Sequence, residues 1–114
     1  GFVPTPALAQ EISAINVEYS TSTAPLVLNY FAHKHGINAE EFIGTAECES
    51  HFKASAIGDG GNSYGPFQIH LPSHPTITKE QAQDPWWAAE WSAQQFAKGK
   101  QSMWTCWRNL YGGV

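Results

Sequence analysis

The chain has 114 residues, the length of one domain, and its apolar content of 42% is enough to form a buried core. It carries 6 Lys and Arg against 10 Asp and Glu, which gives a net charge of −4. Nucleic acids and anionic membrane surfaces bind clustered cations, so the composition argues against both as partners. No apolar run reaches the ~20 residues that a membrane-spanning helix needs, and no membrane span is expected.

The N-terminal residues 1–24 contain two prolines and a Ser/Thr run, and they are predicted to be a lead-in with little core of its own. Residues 25–114 are predicted to form the folded domain. Ala7 to Ala9 is similar to the small-residue end of a signal peptide, although no basic segment precedes it. A trimmed export signal and a chance similarity both stay open.

The first two helices have clear boundary signals. A helix is predicted from Ala24 to His35, because Gly36 can end it in the left-handed conformation. Asn38 is predicted to cap a second helix, with Glu41 three residues later completing a capping box.

The second helix presents a carboxylate close to its apolar face. Phe42, Ile43 and Ala46 form that face, and at 100° per residue Glu49 projects about 65° from its centre, whereas Glu47 projects about 95° to the other side. Glu49 is therefore expected to be partly buried at the helix C-terminus. Desolvation and the helix dipole both raise the pKa of a carboxyl in that position, as a general acid requires.

A glycine-rich region follows over residues 56–71. Its strand-like segment from Tyr64 to Leu71 contains Pro66, which favours an edge strand or an irregular hairpin over a central strand. The segment with two prolines that comes next is predicted to be a loop.

The C-terminal third is predicted to be helical. Asp84 and Pro85 are an N-cap and a first-turn proline, and they begin a helix that runs to residue 96 or 97. A last helix is expected from about residue 102 to 110. The predicted fold class is α+β, predominantly α-helical, with a small β hairpin or β-like loop.

The two cysteines, Cys48 and Cys106, leave two interpretations open. They can form one disulfide in an oxidising compartment, or they can be two buried thiols that pack as small hydrophobic side chains.

Several short motifs occur together over residues 25–112. They are Glu49-Ser50, Ser63-x-Gly65-x-x-Gln68-Ile69, Asp84-Pro85 before a helix, and a tryptophan-rich segment that ends in Tyr111. In this combination the chain resembles the soluble lytic transglycosylase and goose-type lysozyme group of the lysozyme-like superfamily. The resemblance implies a lysozyme-like fold with a groove between a helical lobe and a small β region.

The resemblance also implies an activity. Members of the group cleave the β-1,4 bond between N-acetylmuramic acid and N-acetylglucosamine in peptidoglycan, so the glycan strand is the expected partner. Glu49 matches their catalytic glutamate, and Asp59 matches an aspartate that positions water in goose-type enzymes. A second goose-type aspartate, two residues after Gln68, is replaced here by His70.

The predicted substrate-binding residues are Ser50, Ser63, Tyr64, Gln68 and Tyr111, and the resemblance matches Tyr111 to a tyrosine at the groove of the transglycosylases. Alternatives stay open for three of them. The Ser50 hydroxyl can orient the acid or bond back to its own helix. Ser63 and Gln68 can contact sugar or tie their own loop together.

Five tryptophans fall between Trp86 and Trp107, and Trp87 and Trp91 are one helical turn apart. Most are expected in the core, with one or two lining the groove, because flat apolar faces stack on sugar rings.

No metal or other cofactor is predicted, because the two closest histidine pairs lack the flanking ligands of a zinc site. These pairs are His33 with His35, and His70 with His74.

The sequence leaves two reactions open. Lytic transglycosylation gives 1,6-anhydromuramic acid ends, and hydrolysis would use Asp59 to position water. A third possibility, from another class, is a non-catalytic wall-binding module. The resemblance implies a secreted, periplasmic or cell-wall location, in bacteria or bacteriophage.

Overall fold

The computed structural model describes residues 17–113. Most of the predicted lead-in, with Ala7 to Ala9, lies outside the described residues. Within them the fold is α+β and mostly helical, with five α-helices and one three-stranded antiparallel sheet. The helices are α1 (Ala24–His35), α2 (Ala39–Ser50), α3 (Lys79–Gln83), α4 (Pro85–Ala97) and α5 (Thr105–Tyr111), and the strands are β1 (Ile57–Gly58), β2 (Ser63–Tyr64) and β3 (Ile69–His70).

The boundaries of α1 and α2 follow their sequence signals. Gly36 ends α1 at φ 65°, in the left-handed region, as predicted. At the start of α2, the Asn38 side chain accepts a hydrogen bond of 2.9 Å from the Glu41 N–H. A reciprocal capping box is present at α3, where Thr78 and Gln81 each bond the other's backbone N–H.

The predicted strand from Tyr64 to Leu71 is wrong as a single strand, while the irregular hairpin is confirmed. Strands β2 and β3 flank a turn in which Gly65 and Gln68 have positive φ angles of 84° and 49°. Pro66 lies in this turn, where it breaks no ladder hydrogen bond. Pairing of β1 with β2 adds a third strand that the sequence did not predict.

The C-terminal helices keep their order with one shifted boundary. The Asp84 side chain caps α4 by accepting from the N–H groups of Trp86 and Trp87. Helix α5 begins at Thr105, later than predicted, because a 3₁₀ turn over Gln101–Met103 precedes it. None of the helices within residues 17–113 combines the length and apolarity needed to cross a bilayer.

An aromatic cluster joins the helices to the hairpin. Helix α1 packs on α2 and α4, and α2 packs on α5. Between them, the Phe42 ring stacks on Phe67 of the hairpin turn, with centroids 4.8 Å apart. Phe96 and Trp104 complete the cluster, at 5.3 Å from each other. All four rings are buried, and their removal from water stabilises the domain.

The hairpin turn lies directly against α3. A Cβ atom on Gly65 would be 1.7 Å from the Ala82 carbonyl oxygen, so only glycine fits there. On the other side of the turn, the buried Ser50 hydroxyl lies 2.6 Å from the Pro66 carbonyl oxygen and 3.1 Å from that of Ala46. The close approach of Gly65 to Ala82 and the hydrogen bond from Ser50 to Pro66 together hold the hairpin turn between α3 and α2.

Replacing Gly65 by Ala is expected to destabilise the domain by more than about 2 kcal/mol, because it adds a backbone clash to the strain of a positive φ. The control is Gly60→Ala: Gly60 has a similar φ of 63° but open space around its Cβ position. It should cost only the strain, about 1 to 2 kcal/mol. Urea unfolding measures both, and equal losses would contradict the close approach.

Candidate active site

A cleft of about 290 Å³ opens between the end of α2, the β sheet and the start of α5. It brings together four of the seven predicted site residues, which are Glu49, Asp59, Ser63 and Gln68. The remaining lining residues are Ile69, His70, Ser73, His74, Trp91, Met103, Trp104 and Thr105.

Glu49 lies in the last turn of α2 and is half-buried, as predicted, while Glu47 is exposed. Its Oε2 accepts a hydrogen bond of 3.3 Å from the backbone N–H of Cys106, at the start of α5. Cys48, the residue before Glu49, forms a disulfide with Cys106. The last turn of α2 and the first turn of α5 are therefore joined by one covalent bond and one hydrogen bond. Glu49 lies at this junction and lines the cleft.

The sequence left open whether the two cysteines form a disulfide or are buried thiols, and the structure shows the disulfide. Cys48 and Cys106 are bonded, with Cα atoms 5.9 Å apart and 58 residues between them in sequence. Disulfides persist in oxidising compartments, so this bond points to an extracytoplasmic location.

Burial raises the pKa of Glu49 above its usual 4.5. The hydrogen bond from Cys106 opposes this by stabilising the anion, and the negative charge of Asp59 adds to the increase. The positive charge of Arg108 has a smaller, lowering effect. The net result favours a carboxyl that holds its proton at a higher pH than an exposed glutamate does.

Asp59 stands on the β side of the cleft, at the junction of β1 and a 3₁₀ turn, with φ 52°. Its Oδ2 accepts a hydrogen bond of 2.5 Å from the Ser63 hydroxyl. Ser63 is only 1% exposed, so its hydroxyl positions the Asp59 carboxylate and presents little surface to a ligand.

Gln68 ties its own loop together, one of the two alternatives for this residue. Its Nε2 donates to the carbonyl oxygens of Ala56 at 3.2 Å and Gly65 at 3.0 Å. Its Oε1 occupies the space beside Gly58, where an added Cβ would be 2.3 Å away. The Gln68 side chain thus holds β1 and the hairpin turn in register beneath the cleft.

Ser50, Tyr64 and Tyr111 are not among the residues that line the cleft. The Ser50 hydroxyl is buried against the hairpin turn, and the Tyr64 hydroxyl donates to the Gly61 carbonyl oxygen at 2.8 Å. Tyr111 packs on Gly44, about 140° around α2 from Glu49. These three side chains make their contacts away from the cleft lining, and their substrate-binding role stays a prediction.

Tryptophan and histidine side chains line the cleft beside the predicted site residues. Trp91 and Trp104 line it, which agrees with the expectation that one or two tryptophans reach the groove. Trp104 is fixed by donating from Nε1 to the Phe67 carbonyl oxygen at 2.8 Å. His70 and His74 line it as well, and partial burial, with a contribution from His70, lowers the pKa of His74. The sequence signal for His70 was its position two residues after Gln68, where the goose-type pattern has its second aspartate.

Residues 17–113 contain no group of three His, Cys, Asp or Glu side chains arranged to hold an ion.

Comparisons with known protein families, with curated proteins and with solved structures found no match. A half-buried carboxyl with a raised pKa can donate a proton to a bond held beside it, and the nearby aromatic rings and polar side chains suit a ligand rich in hydroxyl groups.

Replacing Glu49 by Gln should stabilise the protein at neutral pH. Because the folded state raises the pKa of Glu49, the native protein binds this proton more tightly than the unfolded chain does. The stability contributed by Glu49 is therefore fully present below its unfolded pKa and is lost as pH rises through the folded pKa. We expect a higher Tm for Glu49→Gln at pH 7 and a difference that shrinks toward pH 4.

Thermal unfolding by circular dichroism between pH 4 and pH 8 measures this effect. The matched control is Glu47→Gln, an exposed carboxylate on the same turn of α2. A Glu49→Gln variant whose Tm relative to wild type falls as pH rises would refute the buried-acid description.

Proposed function

We propose that this chain cleaves the β-1,4 bond between N-acetylmuramic acid and N-acetylglucosamine in peptidoglycan, as a lytic transglycosylase with a lysozyme-like fold. The observation that carries the proposal is the half-buried Glu49, whose pKa is raised and which lines an open cleft. The motif resemblance supports the same residue as the acid. A glycosidic bond needs a proton donor at its leaving oxygen, and Glu49 is the cleft carboxyl whose burial suits that role.

Transglycosylation needs one group that acts first as acid and then as base. Glu49 donates its proton to the leaving oxygen as the bond from that oxygen to C1 breaks and positive charge develops at the ring. The 6-hydroxyl of the same sugar then attacks C1, and Glu49 takes the proton that this hydroxyl loses. The products are a 1,6-anhydromuramic acid end and a free 4-hydroxyl, and no water is consumed.

Hydrolysis is the second candidate, and the position of Asp59 favours it. Asp59 lines the same cleft as Glu49, and its carboxylate is oriented by Ser63. In an inverting glycosidase the second carboxylate activates a water on the opposite face of the sugar, which requires the two carboxyl groups to be about 6.5–9.5 Å apart. We rank transglycosylation first because the second goose-type aspartate is His70 here.

The proposed location is secreted, periplasmic or associated with the cell wall, of a bacterium or a bacteriophage. The Cys48–Cys106 disulfide supports an oxidising compartment, and peptidoglycan lies in such a compartment.

Incubation with purified peptidoglycan tests the proposal. Wild type should release fragments with anhydro ends, and Glu49→Gln should lower the rate by about 10²- to 10⁴-fold, the usual contribution of a general acid. The control, Glu47→Gln, should keep the wild-type rate. Mass spectrometry of the muramic acid ends identifies the reaction.

The outcomes separate the candidates. Reducing ends, abolished in Asp59→Asn, would replace transglycosylation by hydrolysis. Binding to walls without release of fragments would make the chain a wall-binding module. Clearance by Glu49→Gln at the wild-type rate would overturn the enzymatic proposal.

A further inference from the structure

Helix α4 carries a polar and aromatic stripe outside its buried face. The stripe consists of Trp87, Glu90, Trp91 and Gln94, at positions i, i+3, i+4 and i+7 of the helix. These four residues line a second cavity of about 170 Å³. The fully buried side of α4 is made of other residues, and Trp87 and Trp91 pack against the edge of the core while part of each ring stays exposed.

Trp91 belongs to both cavities, because it lines the cleft of Glu49 and the cavity on α4. The second cavity therefore lies beside the cleft, with the Trp91 side chain common to both linings. The rings of Trp87 and Trp91 are nearly parallel, with an interplanar angle of 9° and centroids 6.4 Å apart. His74 and Trp104 contact Trp91 in edge-to-face geometry at 5.0 and 6.1 Å, which holds its plane in place.

Fixed polar groups accompany the two rings. Gln94 Nε2 donates to Glu90 Oε2 at 2.7 Å, and Lys34 Nζ donates to Glu90 Oε1 at 2.6 Å. His35 Nε2 lies 2.8 Å from Glu90 Oε2. Burial alone would raise the pKa of Glu90, but the hydrogen bonds from Lys34, His35 and Gln94 lower it to about 2. Glu90 is thus an ionised acceptor at neutral pH, with its charge balanced by Lys34.

We propose that Trp87 and Trp91 form a sugar-stacking subsite that holds a residue of the glycan strand beyond the cleft. The inference rests on the proposed function and adds a preference for glycans longer than the cleft alone can hold. Parallel indole faces match the flat C–H faces of pyranose rings, and the amide and carboxylate beside them match ring hydroxyls. The charges of Lys34 and Glu90 cancel within this pair, which suits the uncharged sugar of peptidoglycan, N-acetylglucosamine.

The test measures binding without turnover. In the Glu49→Gln background, calorimetry compares β-1,4-linked N-acetylglucosamine oligomers of two and six sugars. Trp87→Leu keeps apolar volume but removes the flat ring, and it should weaken binding of the six-sugar chain by about tenfold, so that the ratio of long to short affinity falls. Trp87→Tyr retains a flat ring and should keep most of that ratio.

The matched control is Trp86→Phe. Trp86 is the neighbouring tryptophan of α4, and its ring packs against Phe31 at 5.8 Å and is not part of the stripe. This variant should leave the affinity ratio of the parent unchanged. If circular dichroism finds Trp87→Leu unfolded, Gln94→Ala gives the same readout from an exposed position, and it should lower the ratio too.

Each outcome decides the inference. A ratio unchanged in Trp87→Leu, or in Gln94→Ala where that variant is needed, overturns the subsite. An unchanged affinity ratio leaves the proposed function intact as long as the wild type cleaves peptidoglycan. A parent that binds neither oligomer also overturns the subsite, and failure of the wild type to release peptidoglycan fragments would then separately reject the function.

Discussion

The covalent link between Cys48 and Cys106 is the constraint on which the site depends. It fixes the C-terminal turn of α2 to the first turn of α5, and Glu49 follows Cys48 directly. The loop that it closes, with a sequence separation of 58, corresponds to about 4 kcal/mol of chain-entropy stabilisation. The hydrogen bond from the Cys106 N–H to Glu49 is short-range and depends on this alignment. The link therefore connects the stability of the domain to the placement of its candidate acid.

Two further contacts complete the frame around Glu49. Ser50 ties the end of α2 to the hairpin turn through the Pro66 carbonyl, and Trp104 ties the start of α5 to the same turn through the Phe67 carbonyl. Three segments distant in sequence thus meet at one point. They bury the carboxyl enough to raise its pKa but leave it on the cleft. Burial of this carboxyl lowers the stability of the domain at neutral pH, and the raised pKa keeps a proton on the carboxyl that can be donated.

The features that were predicted correctly from the sequence are those that local signals control. Gly36, Asn38 and Asp84 marked helix boundaries because caps act within a few residues, and the helical period placed Glu49 near the core. Helix α3 was missed although its capping box is visible as Thr78-x-x-Gln81, because a five-residue helix leaves little periodicity. Tyr111 was expected in the groove, but its position depends on packing against α2 from far along the chain, which no local pattern encodes.

Titration of the Glu49 side chain by ¹³C NMR tests the central claim most directly. A pKa above 4.5 is expected, because desolvation exceeds the stabilisation by the Cys106 N–H. Asp59→Asn should lower this pKa by removing a nearby negative charge, and Arg108→Gln should raise it by removing a positive one. A value at or below 4.5 that neither substitution moves would contradict the account.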